Sequence, residues 1–343
     1  MTARLTIDLA ALARNYHFLA NIAPVGAVVK ADAYGLGATE VVQRLVSEGC
    51  RTFFVATLDE AEAIAGSGEV YVFGGLSGAE PAHFRSIGAR PILNDVEQVG
   101  RWLADGGGPA GLHVDTGMQR LGLPMSAIES LDPERWQPSL LMSHYACADQ
   151  PEHPLNAEQR SRFARCCKRW PGVPTSLGNS AALLNQLERA DWVGGLGRPG
   201  IALYGGNPRP ERENPLEPVA CLEGQVVQIR DVAAGEPVGY GATYRASQNM
   251  RVATLGIGYA DGVPRLLSNR GSVMLAGRRA PIIGRVSMDA VQIDVTDLPV
   301  EVGVWAEVFG AQVAVDEVAM HAETISYEVL TGLGSRPRRS YSG

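Results

Sequence analysis

Lysine is almost missing from this chain. Of 343 residues only Lys30 and Lys168 carry an ammonium, and arginine supplies the rest of the positive side-chain charge. Cysteine is scarce too: there are five, an odd number, with Cys166 beside Cys167. That is neither a disulfide framework nor a metal-ligand spacing, so no metal is expected, and a reducing cytoplasm is the expected compartment. No apolar run is long enough to span a bilayer, and MTARLTIDLA lacks the apolar stretch of a signal peptide. A net charge of −7 gives no footing for nucleic acid or an anionic membrane as partner. What is present is a globular composition, 45% hydrophobic and 20% charged. At 343 residues the chain exceeds the size at which one core usually stops growing, so two domains are expected.

Eight short apolar runs recur through the first two thirds: GAVVKA (26–31), TFFVAT (52–57), EVYVFG (69–74), RPILND (90–95), GLHVDT (111–116), LLMSHY (140–145), PTSLGN (174–179) and WVGGLG (192–197). Segments of helical spacing such as ATEVVQRLVSEG and DEAEAIAGSG separate them and end in Gly, a common helix stop. Strand and helix alternating about eight times predict an α/β fold with an N-terminal (β/α)8 TIM-type barrel; a doubly wound sheet is the alternative. Around NPRPERENPLEP (207–218) the chain turns rich in Pro and charge. After it, alternating runs predict a mainly-β domain, closed by a helical tail. The expected division is a barrel over 1–212 and a β-rich domain over 213–343.

In such barrels chemistry collects at the carboxyl ends of the strands. Those positions hold Lys30 and Tyr34, Asp115 and Arg120, His144, Asn179 and Ser180, and Arg198. Singly, each has an ordinary explanation: a snorkelling lysine, turn or cap residues at Asp115 and Asn179, a core histidine, a surface-paired arginine. Together they set an amine, an imidazole and several hydroxyls around one mouth. A buried amine loses its proton more easily and then forms imines. Pro199 and Gly200 predict a helix start after the eighth strand, beside Ser180, where backbone N–H groups bind anions. No Walker pattern and no G-x-G-x-x-G follows the first strand. A phosphorylated ligand that need not be a nucleotide fits, and a reactive amine facing a phosphate cradle suits pyridoxal 5′-phosphate.

AVVKADAYGLG, VDTGMQRLG, SHYACAD, GNSAA, GRPGIALYG, GYADG, GRVSMD and TISYEVL follow one another in the order of the alanine racemase family, and the chain resembles that family along nearly its whole length. The resemblance implies a PLP-dependent isomerase acting on alanine, with D-alanine for peptidoglycan as its use. It implies that Lys30 holds the cofactor and later acts as a base. Tyr259 would be the second base, lent by the other subunit of a head-to-tail homodimer. Arg198 would bond the pyridine nitrogen, and His144 would link Arg198 to Tyr259. Tyr34, Asn179, Ser180, Gly200, Ile201 and Tyr327 would surround the cofactor, most of them at its phosphate. Arg120 would contact the phenolic oxygen on the substrate side. Met288 would offer its N–H to the substrate carboxylate, beside Asp289. An arginine stays protonated, so a ring nitrogen facing Arg198 stays unprotonated and side reactions should be few.

The chain departs from the family at His113, where many relatives carry a carbamylated lysine that orients the arginine matching Arg120. Histidine forms no stable carbamate. The expectation is an inorganic anion near Arg120, with other bonding of His113 or other neighbours of Arg120 as alternatives. Leu36 and Ser287 stand where some relatives carry His and Cys. Competing activities are a racemase of broader specificity, an amino-acid decarboxylase of the same cofactor fold, a non-catalytic cofactor-binding protein and a sugar-phosphate barrel enzyme. Tyrosine rather than cysteine in GYADG disfavours the decarboxylase.

Overall fold

The computed structural model describes residues 2–186 and 195–343, which form two compact units. A single cut at 212/213 does not describe these units, because two further segments cross it. One unit comprises Ala13–Leu203 and Pro208–Asn214; the other takes the chain up to Leu12, Tyr204–Asn207 and everything from Pro215. The reason is strand pairing. Strand β1 (Ala3–Asp8) buries Ala3, Leu5 and Ile7 on one face and lies between two strands of the C-terminal sheet. Tyr204–Asn207 joins the same unit because the Asn207 N–H donates to both carboxylate oxygens of Asp316, at 3.1 and 3.0 Å.

The larger unit is the barrel. Its strands are β2 (Ala27–Val28), β3 (Thr52–Val55), β4 (Glu69–Val72), β5 (Ala89–Leu93), β6 (Gly111–His113), β7 (Leu140–Met142) and β8 (Thr175–Ser176), each parallel to the next in sequence order. Such strands are covered on both faces, which is why Phe53–Val55 and Val70–Val72 are buried without alternation. The eighth apolar run, 192–197, lies partly outside the described residues. Its visible end closes the ring: Leu196 and Arg198 donate to Thr175 and Gly178, while Gly26 and Val28 donate to Gly197 and Pro199. Between strands, the helix Leu58–Ala63 opens with a reciprocal Thr57–Glu60 cap, and Ala38–Ser47 buries Val41, Val42 and Leu45. The helix expected to start at Pro199 and Gly200 is absent; residues 201–205 form turns.

The other unit is built on β9 (Ala220–Val232), a strand of 13 residues. Its first half pairs with β1 and its second with β12 (Met250–Leu255), and β12 also pairs with β15 (Val291–Asp294). β13 (Ser272–Leu275), β14 (Arg278–Pro281), β16 (Trp305–Phe309) and β17 (Arg338–Ser342) complete the sheet, in the order β14-β13-β16-β9-β1-β17. The helical tail appears as two short helices, Val315–His321 and Ser326–Thr331.

Candidate active site

Lys30 stands where β2 ends, and the chain then does something costly. Ala31, Asp32, Ala33 and Tyr34 all adopt left-handed backbone angles, with φ of 53, 54, 52 and 58°. A left-handed turn costs roughly 1–2 kcal/mol per residue for side chains larger than glycine. Three anchors hold it. The Ala31 N–H donates to Glu60 Oε1 (2.8 Å), Ala38 N–H to Asp32 Oδ1 (2.7 Å) and Ala33 N–H to Val29 O (2.9 Å). Glu60 also accepts from Ala56 N–H at 2.7 Å, so one carboxylate ties the turn to the end of β3. The turn directs Tyr34 inward, where it is buried.

The Lys30 ammonium lies 5.8 Å from the Phe73 ring, which stacks on Phe54 at 5.3 Å. Burial lowers its pKa from 10.5, and the nearby Arg120 cation lowers it further against the opposing pull of Glu60. Both effects enlarge the neutral, nucleophilic fraction. Arg198 is 3% exposed, its guanidinium 6.0 Å from the Phe54 ring. It donates to Ser176 Oγ (2.6 Å), Ser143 O (2.7 Å) and His144 Nδ1 (3.1 Å).

Those bonds fix two tautomers. Guanidinium N–H groups only donate, so His144 Nδ1 accepts and its proton sits on Nε2. Burial and then Arg198 hold the His144 pKa well below its ordinary 6.5. Its Nε2–H has no acceptor among the described residues. At His113 the logic runs the other way. Asn94 donates its two amide hydrogens to Phe73 O and Ile92 O, both at 2.9 Å, so its Oδ1 accepts from His113 Nδ1 at 2.8 Å. His113 Nε2 is therefore an acceptor. Burial, Arg198 and Arg120 depress the His113 pKa from 6.5 to about 3, so the ring is neutral.

Asp115 proves a turn former: its carboxylate accepts from the N–H groups of Gly117, Met118 and Gln119. The loop it shapes returns to the strand end through Leu123 N–H to His113 O at 2.8 Å, carrying Arg120 back toward the mouth. Arg120 is exposed, and its charge reaches Lys30, His113 and His144. Asn179 caps the helix Ser180–Asn185, its Oδ1 accepting from Ala182 N–H at 3.0 Å, as its ordinary explanation required.

Tyr34, Ser180, Gly200 and Ile201 converge. Ser180 Oγ accepts from Gly200 N–H (3.0 Å) and Ala202 N–H (3.3 Å), while Ile201 N–H donates to no group among the described residues. A Cβ on Gly200 would come within 2.1 Å of the Tyr34 hydroxyl, so only glycine leaves this space open. The Tyr34 and Ser180 hydroxyls and the Ile201 N–H together have the donor chemistry of an anion cradle, in the same unit as Lys30 and Arg198.

The C-terminal unit carries Tyr259, Met288, Asp289 and Tyr327. Tyr259 starts a 3-10 turn, is 42% exposed, and donates its N–H to Ser287 O at 3.0 Å. The Ala260 N–H donates to Met288 O at 3.1 Å, whereas Met288 N–H has no acceptor among the described residues. Tyr327 is half-buried in the helix Ser326–Thr331. The reading from sequence missed Glu60, Asn94, Ser143, Ser176 and the Phe54–Phe73 floor. Of these only Ser143 lies in a motif, SHYACAD, while Ser176, the buried polar end of β8, was a signal of its own. Among the described residues no group of three or more His, Cys, Asp or Glu could hold a metal, and no helix is long and apolar enough to cross a membrane.

Residues 7–208 match the family model of the alanine racemase N-terminal domain, and residues 219–341 that of the C-terminal domain. An alanine racemase of Rhodospirillum rubrum is 44% identical, the match covering 100% of this chain and 96% of that one. A catabolic alanine racemase of Agrobacterium fabrum is 42% identical, over 99% and 92%. The crystal structure of alanine racemase from Bartonella henselae with covalently bound pyridoxal phosphate superposes with a TM-score of 0.93 at 36% identity, all of both chains covered. With a closed barrel bearing a lysine, a buried arginine and an anion cradle, and a β unit bearing Tyr259, this chain belongs to the alanine racemase family.

Proposed function

We propose that this chain interconverts L- and D-alanine with pyridoxal 5′-phosphate held on Lys30, two groups moving the Cα proton on opposite faces of the substrate. One observation carries the reading: a lysine amine of lowered pKa shares a barrel mouth with a buried arginine and a cradle that a single Cβ on Gly200 would close. The residues fit that cofactor. Tyr34, Ser180, Gly200 and Ile201 would hold its phosphate with Tyr327, and Asn179 shapes the turn that presents Ser180. Arg198 would face the ring nitrogen as a permanent donor. When bound, the cofactor supplies the electron sink that loosens the Cα proton.

Lys30 serves one face of the substrate. Its lowered pKa enlarges the neutral fraction able to accept a proton. The partner's Tyr259 serves the other face in a head-to-tail homodimer. The His144 Nε2–H, fixed by Arg198 at Nδ1, would donate to that phenol oxygen and favour its ionised form. Arg120 acts on the substrate side, and Met288 offers its N–H to the carboxylate with Asp289 beside it. The inorganic anion expected near Arg120 gains no donor from His113, whose Nε2 presents a lone pair. It would rest on Arg120, and a rate independent of chloride would remove it from the mechanism. Alanine is the substrate assigned, with D-alanine for peptidoglycan in the cytoplasm as its use. Serine is the nearest competitor, because small pockets separate such pairs only about 10- to 200-fold.

Single L-amino acids incubated with the enzyme in D2O test this. L-alanine should become racemic and carry deuterium at Cα, and Lys30→Ala should abolish both. Tyr259→Phe should slow Cα exchange of L-alanine by about 10²- to 10⁴-fold while exchange of D-alanine persists through Lys30. Optically pure alanine left unchanged with the coenzyme supplied would end the proposal.

A further inference from the structure

Three segments of the C-terminal unit meet behind Tyr259. Gly258–Gly262 forms the tyrosine turn, residues 287–289 carry Met288, and residues 332–336 pass close to the turn. The contacts leave no slack. A Cβ on Gly258 would lie 2.3 Å from the carbonyl oxygens of both Ser287 and Met288, and one on Gly334 would lie 2.3 Å from Ala260 O. Gly262 takes a φ of 104°, with Leu333 Cα 2.9 Å from where its Cβ would be.

Arg336 joins the first two segments from the third. Its Nη1 donates to Asp289 Oδ1 at 2.6 Å, and its Nε lies 3.2 Å from Asp261 Oδ1. Asp289 is exposed, but the Asp261 side chain is 3% exposed, and its other oxygen accepts from Gly258 N–H at 2.9 Å. One guanidinium thus spans two carboxylates, one adjoining Met288 and the other inside the Tyr259 turn. An exposed ion pair adds little to stability. A buried carboxylate that loses its cation is a different matter, because the turn holding it must then move.

We propose that Arg336 is a positioning residue: by bridging Asp261 and Asp289 it fixes the Tyr259 phenol relative to the Met288 N–H, and so relative to the substrate carboxylate. This rests on the roles given above to Tyr259 and Met288. L- and D-alanine are mirror images, so their equilibrium constant is one and kcat/KM must change equally in both directions. The direction of the damage therefore shows in isotope effects. With Arg336→Gln, kcat/KM should fall about 10- to 100-fold, the cost of an ångström-scale misplacement. The Cα-deuterium isotope effect should rise for L-alanine, the substrate whose proton Tyr259 takes, and fall for D-alanine, whose proton transfer to Lys30 becomes less limiting. The melting temperature and cofactor content should hold, and Arg336→Lys should recover part of the loss. Asp289→Asn breaks only the exposed arm, so it should raise KM for both enantiomers and leave the isotope effects alone; it carries the test if Arg336→Gln fails to fold. Unchanged kinetics, or a loss that tracks melting temperature with unchanged isotope effects, would overturn the proposal. Normal exchange of L-alanine by Tyr259→Phe would instead overturn the Tyr259 assignment itself, whatever Arg336 does.

Discussion

The two hydrogens of the Asn94 amide decide where the proton of His113 sits, and the consequence is measurable. Folded, His113 titrates at about 3 instead of 6.5. As pH falls through 6.5 the unfolded chain takes up a proton that the folded chain refuses until about 3. Stability from this group is complete above 6.5 and drains away as pH falls across that window, at up to about 1.4 kcal/mol per pH unit. His144, also lowered, adds to the same decline. His113→Gln should retain more of its stability between pH 6.5 and 4 than the parent does, read as urea midpoints for the barrel; parallel loss in the two would refute the assignment. Placement was legible as far as motifs reach: Lys30, Tyr34, Ser180 and Arg198 stand at the strand ends expected of them. The tautomers were not legible, because they depend on Asn94 meeting His113 and Arg198 meeting His144, neighbours in space that no spacing announces.

At the scale of elements, the turn after Lys30 stands out. AVVKADAYGLG reads as a strand running into a Gly-rich turn, and nothing in Ala, Asp, Ala and Tyr advertises a left-handed run. Propensity disfavours it; Glu60, some thirty residues on, imposes it by accepting the Ala31 N–H. Ala31 is exposed, so Ala31→Gly loses little packing and relieves left-handed strain. It should raise the urea stability of the barrel by up to about 1 kcal/mol. A fall in stability would mean that Ala31 is not strained. The strands were legible because β3, β4 and β5 are apolar on both faces. The missing helix after Pro199 was not, since the signal of a first-turn proline is shared by tight turns.

For the whole molecule, the two-domain division was legible in the change from βα alternation to β patterning, but the ownership of the N-terminal strand was not. ARLTID alternates in a way that suits any half-buried strand, and only pairing partners show that it belongs to the sheet of β9 and β17. The barrel is thus inserted into the β unit rather than preceding it. Deleting residues 2–8 should expose β9 and β17 and remove the buried Leu5 and Ile7, each worth roughly 1.5–3 kcal/mol. Limited proteolysis with mass mapping should then cut within 219–343 before it cuts within 13–203; an unchanged order of cleavage would refute this.

β1 runs parallel to β17 through five paired residues, from Arg4 beside Arg338 to Asp8 beside Ser342. In parallel neighbours, the start of one strand and the end of the other lie at opposite ends of the ladder. Tension applied at Ala3 and Ser342 would load those hydrogen bonds together, in shear, where a hairpin would surrender them one at a time. The pairing of the two ends of the chain thereby gives the β unit a mechanical clamp.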